Sequence, residues 1–231
     1  MRNTRFSCLA LAAIAALLSG ASCRAQSQAQ AQVQSPSTSS TPSTPAGALA
    51  GVRYDYRWEL YGGFAYSHFN AGPNLLQGAN LGGFDVEAAR FFRPRWAAAA
   101  SVRGYYGTSG VVPNPYGITG PFVSEHMFMA GPEWRGPSNE HASLTLHALA
   151  GGAYGNFQHG IGNVPPAALG LFSNQFTFGG AFGGSLDLNR SPRLVFRISP
   201  DATLTSFGSG GVQEQFAISV GLVYRLGRGL K

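Results

Sequence analysis

Residues 214–227 read EQFAISVGLVYRLG, and every second residue from Phe216 to Leu226 is aromatic or aliphatic. The residues between them, including Ser219 and Gly221, are mostly small or polar. A period of two predicts a β-strand with two unlike faces. The apolar face of such a strand lies either against a protein core or against lipid. In the second case the small and polar side chains point inward.

The same alternation recurs in seven further segments, which brings the predicted number of strands to eight. The eight predicted strands, including the opening one, cover residues 57–69, 78–92, 95–107, 120–134, 141–157, 174–189, 193–205 and 214–227. Each segment is longer than the roughly five or six residues of a typical soluble strand. A tilted strand crosses a bilayer with roughly 9 to 11 residues, so every segment is long enough to span one.

Short turns and longer loops alternate between these strands. The short connections are residues 93–95, 135–140 and 190–192, the longer ones are 70–77, 108–119 and 158–173, and 206–213 is intermediate. The longer loops contain no Asp, Glu, Lys or Arg, whereas many arginines fall at the short-turn end. This sorting is typical of outer-membrane barrels. It predicts an all-β fold, an eight-stranded antiparallel up-and-down transmembrane β-barrel over residues 57–231, with both termini periplasmic.

The composition favours lipid, rather than water, at the apolar face. Charged residues make up 11% of the chain, against roughly 25% in an average soluble domain. A water-facing sheet normally carries many Lys and Glu, but the one lysine is the last residue, Lys231. In the sixth segment Phe176, Phe178 and Phe182 share one face, and small residues occupy much of the other. We therefore expect lipid outside and a narrow lumen filled by small side chains.

Residues 1–25 have the pattern of a signal peptide. Arg2 and Arg5 precede an apolar run at residues 8–18, and small residues follow before Gln26. Residues 26–56 are of low complexity, and we predict that they form a disordered periplasmic leader.

Signal cleavage would also change the cysteine content and the charge. It removes both cysteines, Cys8 and Cys23, unless Cys23 is retained as a lipidated N-terminus. Of the 16 Lys and Arg, three precede residue 26, so 13 remain against 10 Asp and Glu, which leaves a net charge of +3. This weak charge has no basic cluster suited to nucleic acid, so we exclude nucleic acid as a partner.

Strand parity predicts that seven carboxylates and six arginines point into the lumen. The carboxylates are Glu59, Asp85, Glu87, Glu125, Glu133, Asp187 and Asp201, and the arginines are Arg57, Arg95, Arg103, Arg193, Arg197 and Arg225. Charges in a narrow lumen are costly unless they are paired. The near balance of the two signs therefore predicts an internal network that braces the barrel.

The candidate site is this lumenal charge network. Its predicted members are Glu59, Asp85, Glu87, Arg103, Glu125, Asp187 and Arg197. We expect Arg103 to pair with Asp85 or Glu87 across one hairpin. Arg197 should pair with Asp187 across another. The alternative is a set of loosely solvated lumen charges, and a bulge at Pro200 would turn Asp201 outward.

Several segments together resemble outer-membrane β-barrel proteins related to the transmembrane domain of outer-membrane protein A. They are WELYGGFAYSHF (58–69), EHMFMAGPEWRG (125–136), HALAGGAYG (147–155), GGSLDLNRSPRLVFRI (183–198) and residues 214–227. The resemblance implies an eight-stranded barrel that is inserted by the outer-membrane assembly machinery and surrounded by outer-membrane lipid and lipopolysaccharide. The chain departs from the aromatic C-terminal residue common in such proteins, because residues 227–231 follow Leu226.

The expected function is a structural or surface-interaction role without enzymatic activity, and the partner of the loops is not indicated. The five histidines show no metal-ligand spacing, and we expect no cofactor. Three alternatives stay open: a narrow, porin-like pore, a soluble ligand-binding barrel, and a lipid A-modifying enzyme. The last rests on Ser124 and His126, two residues apart on one predicted lipid-facing face, where a nucleophile and its base would have to meet.

Overall fold

The structure, a computed structural model, describes residues 49, 51–73, 78–208 and 211–229. Eight strands span Tyr56–Asn70 (β1), Gly78–Arg93 (β2), Trp96–Ser109 (β3), Phe122–Ser138 (β4), Ala142–His159 (β5), Gln175–Asn189 (β6), Leu194–Thr205 (β7) and Gln213–Arg228 (β8). They are the eight strands that the alternation predicts, and each begins within two residues of its predicted start. A short 3₁₀ helix, Pro166–Leu169, lies in the connection between β5 and β6.

The eight strands form one closed barrel in sequence order. Every neighbouring pair is antiparallel, and β8 returns to pair with β1, with Phe64 opposite Val220. Closure matters because an open sheet would leave a row of unpaired backbone groups at each edge. The predicted fold class is confirmed.

Large apolar side chains point out of this barrel. Phe64, Phe176 and Phe182 are 86%, 69% and 61% exposed. In β8, Phe216, Val220 and Leu222 are exposed, while Gln215, Ala217 and Ser219, at the alternate positions, are buried. The barrel therefore has its apolar face outside. A soluble ligand-binding barrel needs the opposite arrangement, so that alternative is wrong.

Pro200 does not reverse the face of the residue that follows it. The register between β6 and β7 is the same on both sides of Pro200, with Gly183 opposite Asp201 and Leu186 opposite Ile198. Asp201 is accordingly buried in the lumen. The strand loses ladder pairs around the proline without gaining the extra residue that a bulge requires.

The N-terminal predictions fall largely outside the described residues. The signal peptide at 1–25 and most of the leader at 26–56 therefore stay predictions. Within the described part of the chain, no helix has the length and hydropathy needed to span a membrane.

Inward glycines allow the strands to enclose a narrow lumen. At Gly83 an added Cβ would collide with the backbone carbonyl oxygen of Gly104 on β3. At Gly82, the adjacent outward position, an added Cβ would meet nothing within 4 Å. The two glycines differ only in the face they occupy, so they form a matched pair.

We predict that Gly83→Ala lowers the free energy of unfolding by about 1–3 kcal/mol, because the backbone of β3 must move away. Gly82→Ala should change it by less than about 1 kcal/mol, and toward greater stability, because alanine restricts the unfolded chain. Urea unfolding in neutral detergent micelles measures both. Equal effects of the two substitutions would contradict the assigned faces.

Candidate functional site: the lumenal charge network

Arg197 on β7 is the centre of the network. Its Nε and Nη2 donate to the two carboxylate oxygens of Asp187, at 2.7 and 3.0 Å. Its Nη1 donates to Oε1 of Glu87 at 3.0 Å, and Nη2 also donates to Oε2 of Glu59 at 3.2 Å. Asp187 lies directly opposite Arg197 in the β6–β7 register, so the predicted pair is confirmed. The other two carboxylates reach Arg197 across the lumen.

Glu59 on β1 receives two more arginines. Nε of Arg225 donates to Oε1 of Glu59 at 2.9 Å, and Nη2 of Arg135 donates to the same oxygen. Nη1 of Arg225 donates to Oδ1 of Asn189 at 2.8 Å. With Arg197, three guanidinium groups surround one buried carboxylate. Such charge-assisted hydrogen bonds are stronger than bonds between neutral groups.

Arg103 on β3 organises a second layer nearer the loop end. Its Nη1 lies 2.6 Å from Oδ2 of Asp201, and its Nε lies 3.4 Å from Oδ2 of Asp85. The hydroxyl of Ser101 donates to Oδ1 of Asp85 at 3.1 Å. Nε2 of His147 lies 2.9 Å from Oδ1 of Asp201, which makes a further ion pair whenever the histidine is protonated. Of the two partners predicted for Arg103, Asp85 or Glu87, the structure shows an ion pair with Asp85, and its shorter contact is to Asp201.

Glu125 and Glu133 are buried in the lumen but lie outside these ion pairs. Neither carboxylate oxygen of either residue has a hydrogen-bond partner among the described residues. Glu125 lies between Tyr105 on β3 and Gly155 on β5, where the lumen lining is mostly apolar. Its predicted membership of the network is therefore wrong, although its inward face is right.

Three arginines that parity placed in the lumen are exposed instead: Arg57, Arg95 and Arg193. Each lies at the turn end, where a long side chain reaches past the rim to water. Arg135 was missed because its strand was predicted to end at residue 134, whereas β4 continues to Ser138. Among the described residues, the inward arginines are thus four, against seven carboxylates.

An apolar plug fills the lumen at the loop end. We use this name for Phe69, Phe157, Phe207, Ile161 and Leu169, all buried. The rings of Phe69 and Phe157 stack with centroids 5.8 Å apart, and Phe207 meets Phe157 edge-on at 5.3 Å. Ile161 and Leu169 come from the connection between β5 and β6, which folds over the opening.

Tyr54 lies over the network at the turn end. Its ring centroid is 5.1 Å from the guanidinium carbon of Arg135 and 4.8 Å from that of Arg225. Its hydroxyl donates to the carbonyl oxygen of Asn139 at 2.7 Å and accepts from Nδ2 of Asn189 at 2.8 Å. Tyr54 belongs to the predicted leader, so at least this part of the leader packs on the barrel.

The Ser124 and His126 pair does not assemble as an enzyme would need. Both residues occupy outward positions in the β3–β4 register, as predicted, but Ser124 is buried there. Nε2 of His126 is 2.9 Å from the hydroxyl of Tyr106 on β3. No hydrogen bond joins His126 to Ser124 among the described residues. The same part of the chain contains no group of three His, Cys, Asp or Glu residues placed to hold a metal ion.

Solved structures that this chain resembles include eight-stranded barrels of bacterial outer membranes. Neisserial surface protein A has 11% sequence identity with a TM-score of 0.53, covering 73% of this chain and 97% of that one. The attachment invasion locus protein Ail of Yersinia pestis has 21% identity and a TM-score of 0.46, with 74% and 99% covered. Outer membrane protein OprG of Pseudomonas aeruginosa has 11% identity and a TM-score of 0.46, with 73% and 95% covered.

This chain has the fold of the eight-stranded outer-membrane barrels. The resemblance predicted from the sequence is thereby confirmed at the level of fold. No family model and no curated protein matches the sequence.

We predict that Arg197→Met lowers the free energy of unfolding by about 3–5 kcal/mol, because three buried carboxylates lose their common partner. Arg193→Met is the matched control. It lies exposed just before the same strand and should change stability by less than about 0.5 kcal/mol. Urea unfolding in neutral detergent micelles compares the two. A loss for Arg197→Met as small as that of the control would contradict the network.

Neutralising a buried carboxylate should change the free energy of unfolding differently depending on whether that carboxylate has arginine partners. Glu59→Gln leaves three arginines without their shared anion, so we expect a loss of about 3 kcal/mol or more. Glu125→Gln removes a carboxylate that has no partner to lose, so stability should stay the same or rise. The same unfolding measurement applies, and a loss for Glu125→Gln comparable to that for Glu59→Gln would show that Glu125 has a partner.

Proposed function

We propose that the protein is a non-enzymatic outer-membrane barrel that holds its loops at the cell surface in a structural or interaction role. The observation that carries this proposal is the inverted arrangement of the barrel wall. Apolar side chains such as Phe64 and Phe182 cover the outside, and the ion pairs of Arg197 and Glu59 fill the inside. Such a surface is stable in lipid and not in water, where it would aggregate.

The barrel is oriented with its short turns and both termini in the periplasm. Three longer loops and the connection from β7 to β8 then face outward from the cell, among lipopolysaccharide. Insertion would depend on the outer-membrane assembly machinery. The supports for this orientation are the short connections at one end and the long ones at the other, as in outer-membrane barrels generally.

The described loops offer an ordered, uncharged surface. The side chain of Asn114 holds the β3–β4 loop, donating to the carbonyl oxygens of Val112 and Ile118 at 3.0 and 2.9 Å. The amide of Val112 donates to the carbonyl oxygen of Leu169, which ties this loop to the one between β5 and β6. Tyr116 at the tip is 54% exposed. A partner would therefore be recognised by shape, aromatic contact and neutral hydrogen bonds rather than by charge.

The filled lumen argues against a pore. Phe69, Phe157 and Phe207 close the loop end, and Tyr54 lies across the arginines at the turn end. An ion would have to cross an apolar layer that offers no ligands. The contact of His126 with Tyr106 likewise gives no support to a lipid-modifying enzyme.

We expect the protein to sediment with outer membranes and to require detergent for extraction. Unheated samples should migrate differently from boiled samples on denaturing gels, because an intact barrel resists the detergent. Extraction by buffer alone, or migration independent of heating, would contradict the membrane proposal.

The variant Phe182→Arg, with a charge on the outward face, should reduce the folded fraction, while Tyr116→Arg on the loop should not.

Conductance measurements distinguish a sealed barrel from a narrow pore. The wild-type protein reconstituted in planar bilayers should show no stable unitary current. Current steps that recur in proportion to the inserted protein would establish the pore instead. Replacing Phe157 with alanine should raise leak current more than replacing outward Phe178, because only Phe157 belongs to the apolar plug.

A further inference from the structure

The arginines divide into two groups with opposite surroundings. Four lie in the lumen and are paired with carboxylates there. Eight others in the described part of the chain are exposed. Of these, Arg53 precedes β1, and the other seven lie at the turn ends of the strands and form what we call the arginine collar: Arg57, Arg90, Arg93, Arg95, Arg190, Arg193 and Arg228. No ion pair of the described residues involves any of the seven. The protein therefore presents a row of cations with no carboxylate of its own, among the described residues, within ion-pair distance.

The collar follows the rim along six of the eight strands. It runs from the β6–β7 turn past the end of β8 and the start of β1 to the β2–β3 turn. The β4–β5 turn interrupts it with Glu140 and His141, which pair with one another at 3.6 Å. Outside the lumen, the only other carboxylate described at this end is Asp55. The excess of positive charge is therefore concentrated on one side of the rim.

An aromatic belt lies directly beside the collar on the outward face. Trp58, Trp96 and Tyr224 are each about half exposed there. Arg90 is opposite Trp58 in the β1–β2 register, and its guanidinium carbon lies 5.5 Å from the centre of the Trp58 ring. Aromatic belts mark the depth of lipid headgroups in membrane barrels. Arg90 projects from the lipid-facing wall itself, so at least this member of the collar is within reach of headgroups.

We propose that the arginine collar binds the phosphate groups of anionic phospholipids in the leaflet around the turn end. The inference rests on the proposed function, because it requires the apolar wall to face lipid. The planar guanidinium group matches phosphate oxygens with two parallel hydrogen bonds. The stems of the arginines can lie along apolar surface while their heads reach the headgroups. The contact holds the barrel at one depth and leaves the uncharged loops free at the other end.

A lipid ligand fits the geometry better than an anionic polymer in the periplasm. A polymer would be bound by charges on the end face of the barrel, with no need for cations on the wall. Arg90 and Trp58 share the lipid-facing side, where a headgroup and its acyl chain can contact both at once. The collar and the belt thus form one amphipathic surface.

The three tryptophans of the chain provide the test, because Trp58, Trp96 and Trp134 all lie at the turn end. The full-length mature protein is refolded into vesicles of mixed phosphatidylcholine and phosphatidylglycerol, with bromine on the acyl chains of one lipid at a time. Brominated chains quench tryptophan by contact. The ratio of quenching gives the relative association of the two lipids with this belt.

We expect the association constant for phosphatidylglycerol to exceed that for phosphatidylcholine about two- to fivefold at low salt, and the preference to weaken at high salt. The variant R90Q/R93Q/R95Q/R190Q/R193Q removes Arg90 and the four turn arginines of the collar, and it should bring the ratio close to one. The matched control R90K/R93K/R95K/R190K/R193K keeps the charge and should retain most of the preference. Heat-modifiable migration verifies that both variants are folded.

The outcomes distinguish failure of the collar proposal from failure of the proposed function. Tryptophan fluorescence that neither brominated lipid quenches would refute the membrane proposal itself. Equal quenching by the two lipids in the wild-type protein would overturn the collar proposal and leave the membrane proposal standing. If equal quenching is joined by collar-dependent sedimentation with purified peptidoglycan, the ligand is an anionic cell-wall polymer, and the lipid proposal is wrong.

Discussion

Charge pairing in the lumen couples the stability of the barrel to its closure. A carboxylate or guanidinium group removed from water is costly unless an opposite charge and hydrogen bonds replace the solvent. Here Glu59, Arg135, Asp187, Arg197 and Arg225 meet in one cluster, and Glu87 joins it through Arg197. These six residues come from six different strands. The cluster can form only when the barrel is closed, so it links closure of the sheet to satisfaction of its buried charges.

The two ends of the lumen complete this arrangement by excluding water from the charges. The apolar plug closes the loop end, and Tyr54 covers Arg135 and Arg225 at the turn end. Low local polarity strengthens each ion pair, but it also raises the cost of a carboxylate without a partner. Glu125 and Glu133 have no hydrogen-bond partner among the described residues and bear this cost. A rigid, filled barrel of this kind suits the display of loops better than the passage of solutes.

The sorting of arginine connects the inside of the barrel to its surroundings. Inside, each guanidinium group has carboxylate partners from the same chain. Outside, the collar has none among the described residues, and its position beside Trp58 and Trp96 makes lipid phosphate the partner we propose. The loops at the opposite end carry no charge in the connections from residues 108–119 and 158–173. The turn end is thus suited to bind the membrane, and the loop end is suited to bind uncharged partners.

The eight strands, the faces of their central residues and the pair of Asp187 and Arg197 could be predicted from the pattern of residues alone, whereas Arg103 was left with Asp85 or Glu87 as its partner. Alternation has a period of two, and residues that face each other across a tight turn, such as Asp187 and Arg197, are set by local register. Contacts across the lumen could not be derived in this way. Glu87 reaches Arg197, and Tyr54 reaches Arg225, only because the closed barrel brings distant strands and the preceding segment together. Those contacts depend on the radius of the barrel and on where each strand ends, and both are properties of the assembled sheet.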